Sequence, residues 1–224
     1  MLNYFLFQTE DFDAKKTFAF VLAYLLAILL ALAIHEFAHA FVAHKCGDDT
    51  AKAQGRLTLN PLRHVDPMGF LMLLVVGFGW AKPVQINPAN FKSYKKGMAL
   101  VSISGIVANI LMSILFAFGL VAYFLLAPAQ YANMFQFFLE NFLIYSFGIN
   151  LSLAIFNMLP IYPLDGFNFI SAFLKPNNSY VVFMHRYGTF VLLLLILTPI
   201  FELFFSFVFG IISGLFTLIT SLFL

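Results

Sequence analysis

From Thr17 to Val42 the chain is an apolar run whose only ionisable side chains, tyrosine aside, are His35, Glu36 and His39. With its flank the run reaches His44, long enough to cross about 30 Å of hydrocarbon as one tilted helix. Lys45, Cys46, Gly47, Asp48 and Asp49 end it, with Gly47 as the C-terminal breaker. Ionisable groups inside such a helix are expensive, so this cluster marks a site whose remaining partners lie elsewhere in the chain.

The rest of the sequence has the same character. Of its 224 residues 62% are hydrophobic and only 10% charged, where soluble domains carry about 25% charged residues. This composition predicts an integral membrane protein with no room for a sizeable soluble domain, and residues 1–224 read as one polytopic domain. A formal charge of +2 is too small to suggest nucleic acid as a partner; the lipid bilayer is the expected one. The lone cysteine, Cys46, excludes an internal disulfide and a thiolate zinc cluster. Glu10, Asp11 and Asp13 do not resemble the basic start of a cleavable signal, so the first apolar segment is expected to be retained.

Further spans are expected at Gly97 to Leu126, Phe138 to Leu159 and Tyr180 to Leu197, with a last apolar stretch running to Leu224. Between the first two, Gly55 to Asn60 alternates like a short strand. Met68 to Val76 is too short to cross comfortably and is punctuated by Gly77, Gly79 and Pro83, which predicts a re-entrant or half-buried hairpin, with Trp80 at the interface. The fold expected is therefore all-α and polytopic, with about five to six transmembrane helices and a β-like or re-entrant segment after the first. Lys45, Lys52, Arg56, Arg63, Lys82, Lys92, Lys95 and Lys96 all lie between the first and second spans, and the positive-inside rule places that region in the cytoplasm. The ends of the first and third spans then fall on the same, cytoplasmic side.

His35 and His39, four residues apart, share one helical face and can reach a single ion. Glu36 lies beside that face, where a carboxylate can take a proton from a water at the ion. A catalytic zinc site keeps three protein ligands, so one more is needed. Asp165, His185 and Glu202 are the main residues that qualify, while Glu140 sits at the wrong end of its helix. Asp165 is favoured: Pro160 and Pro163 unwind the chain before it, and Gly166 permits close backbone approach. His44 points away from His35, His64 suits a bond to a loop carbonyl, and His185 and Arg186 suit an interface or loop carbonyls. Cys46 is expected to be inert.

Four segments, in order, carry a family resemblance. His35-Glu36-Phe37-Ala38-His39 is the first. Gly55-Arg56-Leu57-Thr58-Leu59-Asn60-Pro61 through His64, Asp66-Pro67 and Gly69 is the second. Gly79-Trp80-Ala81-Lys82-Pro83-Val84, with Asn87-Pro88 and Asn90-Phe91, is the third. Asn157-Met158-Leu159-Pro160-Ile161-Tyr162-Pro163-Leu164-Asp165-Gly166 is the fourth. Together they resemble the site-2 protease family of intramembrane zinc metalloproteases, in its small prokaryotic form without PDZ or CBS domains. The resemblance covers Ala33 to Phe169. Ile106 stands where the family usually has Pro, and Phe167 where it often has a second Gly.

The resemblance implies a catalytic core over about residues 17–170, with 178–224 as additional C-terminal helices. It implies one Zn²⁺ per chain on His35, His39 and Asp165, with Glu36 as the catalytic base and Asn157 contacting the substrate backbone or the developing oxyanion. The substrate would be a transmembrane protein or peptide, and the location a prokaryotic inner membrane with the active site near the cytoplasmic face. A strand-like Arg56 to Asn60, or an edge near Val84 to Asn87, would clamp the unwound substrate by strand addition. Two alternatives stand beside this expectation: a metal-ion transporter, which would need polar residues at several depths, and a proteolytically inactive membrane scaffold that retains a zinc site.

Overall fold

The computed structural model describes residues 13–76, 79, 81–126 and 133–223. The first helix, α1 (Ala14–Cys46), begins where the Asp13 side chain accepts from Lys15 N and Lys16 N and ends at Gly47, whose φ of 110° closes a left-handed cap. Ala19, Ala23, Ala27 and Ala31 recur every fourth residue and are buried. Small side chains at that spacing let neighbouring helices approach closely. Those neighbours are α4 (Tyr94–Leu126) and α5 (Met134–Asn157), and the three helices pack on one another to form the centre of the molecule.

Between α1 and α4 lie the short α2 (Thr50–Ala53), a 3-10 turn at Pro61–Arg63, α3 (Pro67–Val76) and a second 3-10 turn at Pro88–Asn90. After α5 come α6 (Asp165–Ser171), packed on α4, then α7 (Ser179–Leu197) and α8 (Pro199–Phe223), which contact each other. Among the described residues four helices are long and apolar enough to cross a membrane, namely α1, α4, α5 and α7. They match the four expected spans to within a few residues at each end. The final apolar stretch forms α8, so the expected count of about five to six stands at four such helices plus α8.

The β-like segment is a correction. Gly55 to Asn60 forms no strand, and none is present among the described residues. A strand needs a partner ladder, and here the backbone groups go elsewhere. Gly55 turns the chain with φ 65°, Arg56 N donates to Ala51 O, and Thr58 O is bonded by the His64 ring. A lone antiparallel bridge, Val65 to Ala81, is all the pairing found there. Met68 to Val76 lies in α3, a helix of 10 residues that is too short to cross. Trp80 and Gly77 lie outside the described residues.

Candidate metal centre

One turn apart on α1, His35 and His39 project the same way, and their Nε2 atoms lie 3.1 Å from each other. Both rings are buried and both are anchored from behind. His35 Nδ1 is 2.6 Å from Asn109 Oδ1, and His39 Nδ1 is 2.8 Å from Val101 O, both acceptors on α4. The Asn109 amide is itself oriented, donating to Asn150 Oδ1 on α5 at 2.8 Å and to Ala31 O on α1 at 3.3 Å. These bonds hold the Nδ1 protons in place and turn each Nε2 lone pair toward the same point.

Asp165 is brought to that point by the chain break after α5. Pro160 and Pro163 prevent helix from continuing, and Gly166 packs against the preceding backbone: a Cβ there would lie 2.3 Å from Met158 O and 2.6 Å from Leu159 O. Asp165 opens α6, with Oδ2 3.3 Å from His35 Nε2 and 3.2 Å from His39 Nε2. The loop is braced from α7. Tyr180 Oη donates to Pro160 O, and Gly188 sits so close to Tyr162 that a Cβ would meet Tyr162 Cβ at 2.7 Å. His185, expected at an interface or on loop carbonyls, lies tilted 5.1 Å from the Tyr162 ring and edge-on 5.2 Å from Phe167.

The three donors fit a tetrahedral cation. Their separations, 3.1, 3.2 and 3.3 Å, are close to the edge of about 3.3 Å expected of a tetrahedron with bonds of about 2.0 Å. The chemistry fits as well. With both Nδ1 protons engaged, two imidazole lone pairs and a carboxylate face one another, and Asp165 Oδ2 is buried without a hydrogen bond. Gly105 completes the fit: a Cβ there would lie 2.5 Å from His35 Cε1 and 2.6 Å from His39 Nε2, so only glycine lets α4 pass this close to the two rings. Among the described residues this is the one group of three His, Cys, Asp or Glu side chains so placed.

Glu36 is buried beside the pair, and its Oε2 accepts from Val84 N at 2.7 Å. Asn157 closes α5 and donates to Leu153 O at 3.0 Å, a bond within its own helix; no bond to the trio is found. His44 pairs with Asp49 at 2.5 Å, and His64 bonds Thr58 O at 2.8 Å. Glu202 is exposed on α8. The sequence alone does not reveal the part that Gly105 and Asn109 play around the histidines. The signal available was an amide in mid-span, where a polar group needs a partner.

Comparison with known proteins matches residues 125–196 to Peptidase family M50, a range that holds Asp165 and extends through α7. The chain is 42% identical over 171 residues to a Bacillus subtilis protein named "Putative zinc metalloprotease YwhC", covering 75% of this chain and 76% of that one. Proteins named Rip2 with the same description are similar too: 28% identity in Mycolicibacterium smegmatis, over 75% of this chain and 64% of that one, and 30% in Mycobacterium tuberculosis strain H37Rv, over 84% and 70%. No solved structure matches.

Proposed function

The chain belongs to peptidase family M50, the site-2 protease family of metalloproteases, and from that membership we propose a zinc-dependent endopeptidase that hydrolyses peptide bonds within transmembrane segments of other membrane proteins. The observation that carries this reading is the convergence of His35, His39 and Asp165, lone pairs inward, next to Glu36 and among helices apolar enough to span. In this reading the whole of residues 1–224 is one protease domain, in a prokaryotic inner membrane, with its site toward the cytoplasm. The exposed Lys45, Lys52, Lys82, Lys92, Lys95 and Lys96 around the end of α1 and the start of α4 support that orientation.

His35, His39 and Asp165 would hold one Zn²⁺ per chain. When bound, the ion supplies a Lewis acid for the scissile carbonyl and lowers the pKa of water toward about 7. The remaining work falls to side chains of the protein. Asn109 and Val101 O keep both imidazoles in the tautomer that presents Nε2. Val84 N–H occupies Glu36 Oε2, so Oε1 accepts the proton of the attacking water and returns it to the leaving amine. Asn157 has a second amide hydrogen beyond the one given to Leu153 O, and with it can bond the substrate backbone or the oxyanion.

The test is cleavage of a tagged single-span reporter by wild type and Glu36→Gln, with zinc content measured on the same preparations. Glu36→Gln should keep its zinc and lose about 10²-fold or more in rate. Equal rates would remove Glu36 as the base. Zinc-loaded wild type that cuts no reporter would refute the protease reading.

A further inference from the structure

Apart from the bridge at Ala81, the segment from Ala81 to Phe91 has no regular structure before its 3-10 turn, yet it is tied first to the loop after α1 and then to α1 itself. At its start Lys82 N donates to His64 O at 2.9 Å, and buried Arg56 donates through Nη2 to Lys82 O at 2.5 Å. In the middle, Val84 N donates to Glu36. Just past its end Lys92 N donates to Cys46 O at 3.0 Å. The segment therefore follows the last turns of α1, from the level of Glu36 to the helix end.

The strongest tie is Asp48, the residue after the α1 cap. It is fully buried, at 0% exposure, and no cation pairs with it among the described residues. Its Oδ1 accepts from Thr50 N at 3.1 Å, Thr50 Oγ1 at 2.5 Å and Asn90 Nδ2 at 2.8 Å; its Oδ2 accepts from Asn87 N at 2.7 Å. Only an acceptor-only group can meet four donors this way, and a side-chain amide would turn an N–H toward one of them. Gly47 lets the segment come this close, since a Cβ there would lie 3.0 Å from Asn90 O. Between the anchored Asn87 N and Val84 N only Gln85 and Ile86 intervene, so fixing Asn87 leaves Val84 little freedom.

We propose that Asp48 is a positioning residue for the catalytic base: by holding Asn87 and Asn90 it keeps the Val84 N–H on Glu36 and so sets the direction of the free carboxylate oxygen. The inference rests on Glu36 acting as the base. A helix that merely needed a stop would be served by Gly47 alone, whose N–H already bonds His44 O and whose φ ends the helix. The buried carboxylate adds a connection between the frame that carries Glu36 and the backbone donor that orients it.

The test uses the full chain, zinc-loaded in detergent, as wild type, Asp48→Asn, Asn90→Ala and Glu36→Gln. Three quantities are read: zinc content, the Val84 amide proton in ¹⁵N-valine-labelled protein, and kcat and KM on the single-span reporter. Asp48→Asn should retain zinc, move the Val84 amide upfield, and lose about 10- to 100-fold in kcat with KM nearly unchanged. Asn90→Ala, which removes one of the four bonds, should shift the same amide in the same direction with a smaller kcat loss; it decides the matter if Asp48→Asn fails to fold. An unmoved Val84 amide with unchanged kcat overturns the proposal, as does a kcat that falls only in proportion to lost zinc. If Glu36→Gln cuts like wild type, the base assignment itself has failed. If Glu36→Gln is inactive and Asp48→Asn normal, only the role of Asp48 has.

Discussion

Replacing Gly105 with alanine adds one methyl group against both histidine rings of the candidate metal centre, and the structure sets the size of its effect. The new Cβ would lie 2.5 Å from His35 Cε1, 2.6 Å from His39 Nε2 and 2.7 Å from His35 Nδ1, where ordinary contact begins near 3.4 Å. Relief requires the rings to move by about 0.8–0.9 Å or α4 to separate from α1 by a similar amount, against a tolerance of about 0.2 Å in ligand distances. Neither ring can simply swing aside, because each is tied through Nδ1 to α4, the helix that carries Gly105. Gly105→Ala should therefore lower zinc affinity by at least the about 10- to 100-fold seen when a ligand's orienting partner is lost. The added strain is about 1–3 kcal/mol, against a helix-propensity gain of about 1 kcal/mol. The assay is competition with a chelator of known affinity, alongside thermal unfolding. Gly119→Ala on the same helix is the comparison: its Cβ would meet only Leu143 Cδ2 at 3.3 Å, the end of a flexible side chain. Wild-type zinc affinity in a folded Gly105→Ala protein would refute the packing argument and the placement of both histidines.

Other expectations follow from the same contacts. Asn109→Ala leaves His35 Nδ1 without its acceptor, and chelator competition should show zinc affinity down by about 10- to 100-fold with little loss of helix content. Gly188→Ala presses on Tyr162 at 2.7 Å and should displace the loop that carries Asp165, seen as weaker zinc binding although Gly188 touches no ligand. Burial tends to raise the pKa of Asp48, but hydrogen bonds from Thr50, Asn87 N and Asn90 outweigh it and hold the carboxyl below its ordinary range. A depressed folded pKa stabilises fully above the unfolded value of about 3.9, and the stabilisation is lost as pH falls through the folded value. Melting temperature should drop over that acid range in wild type, and Asp48→Asn should flatten this part of the drop.

The spans, and the candidacy of His35, His39 and Asp165 that the fold brings together, were legible because each leaves a local mark. α1 is a long apolar run with a glycine stop, and Asp165 sits between two prolines and a glycine. What the sequence could not carry was relative rotation. Asn109 and Gly105 could not be read as neighbours of the histidines, because nothing along α4 says which of its faces meets His35 and which meets α5. Asp48 looked like part of a helix stop; its burial is created by Asn87 and Asn90, about forty residues further on, and no periodicity encodes that return. The strand expected at Gly55 to Asn60 failed for a related reason. Alternation in Arg56-Leu57-Thr58-Leu59 is necessary for a half-buried strand, but pairing needs a neighbour, and the groups that meet this stretch are His64 and Lys82, through side-chain bonds.

In the proposed site three residues from two distant parts of the chain hold one ion, and Asp165 is the residue on which that site turns. Zinc should be measured by elemental analysis on purified wild type and Asp165→Ala, each after chelation and reloading with limiting Zn²⁺. About one zinc per wild-type chain is expected, with a marked loss on Asp165→Ala, because two imidazoles alone do not make a catalytic zinc site. Equal zinc, bound with equal affinity in both proteins, would contradict it.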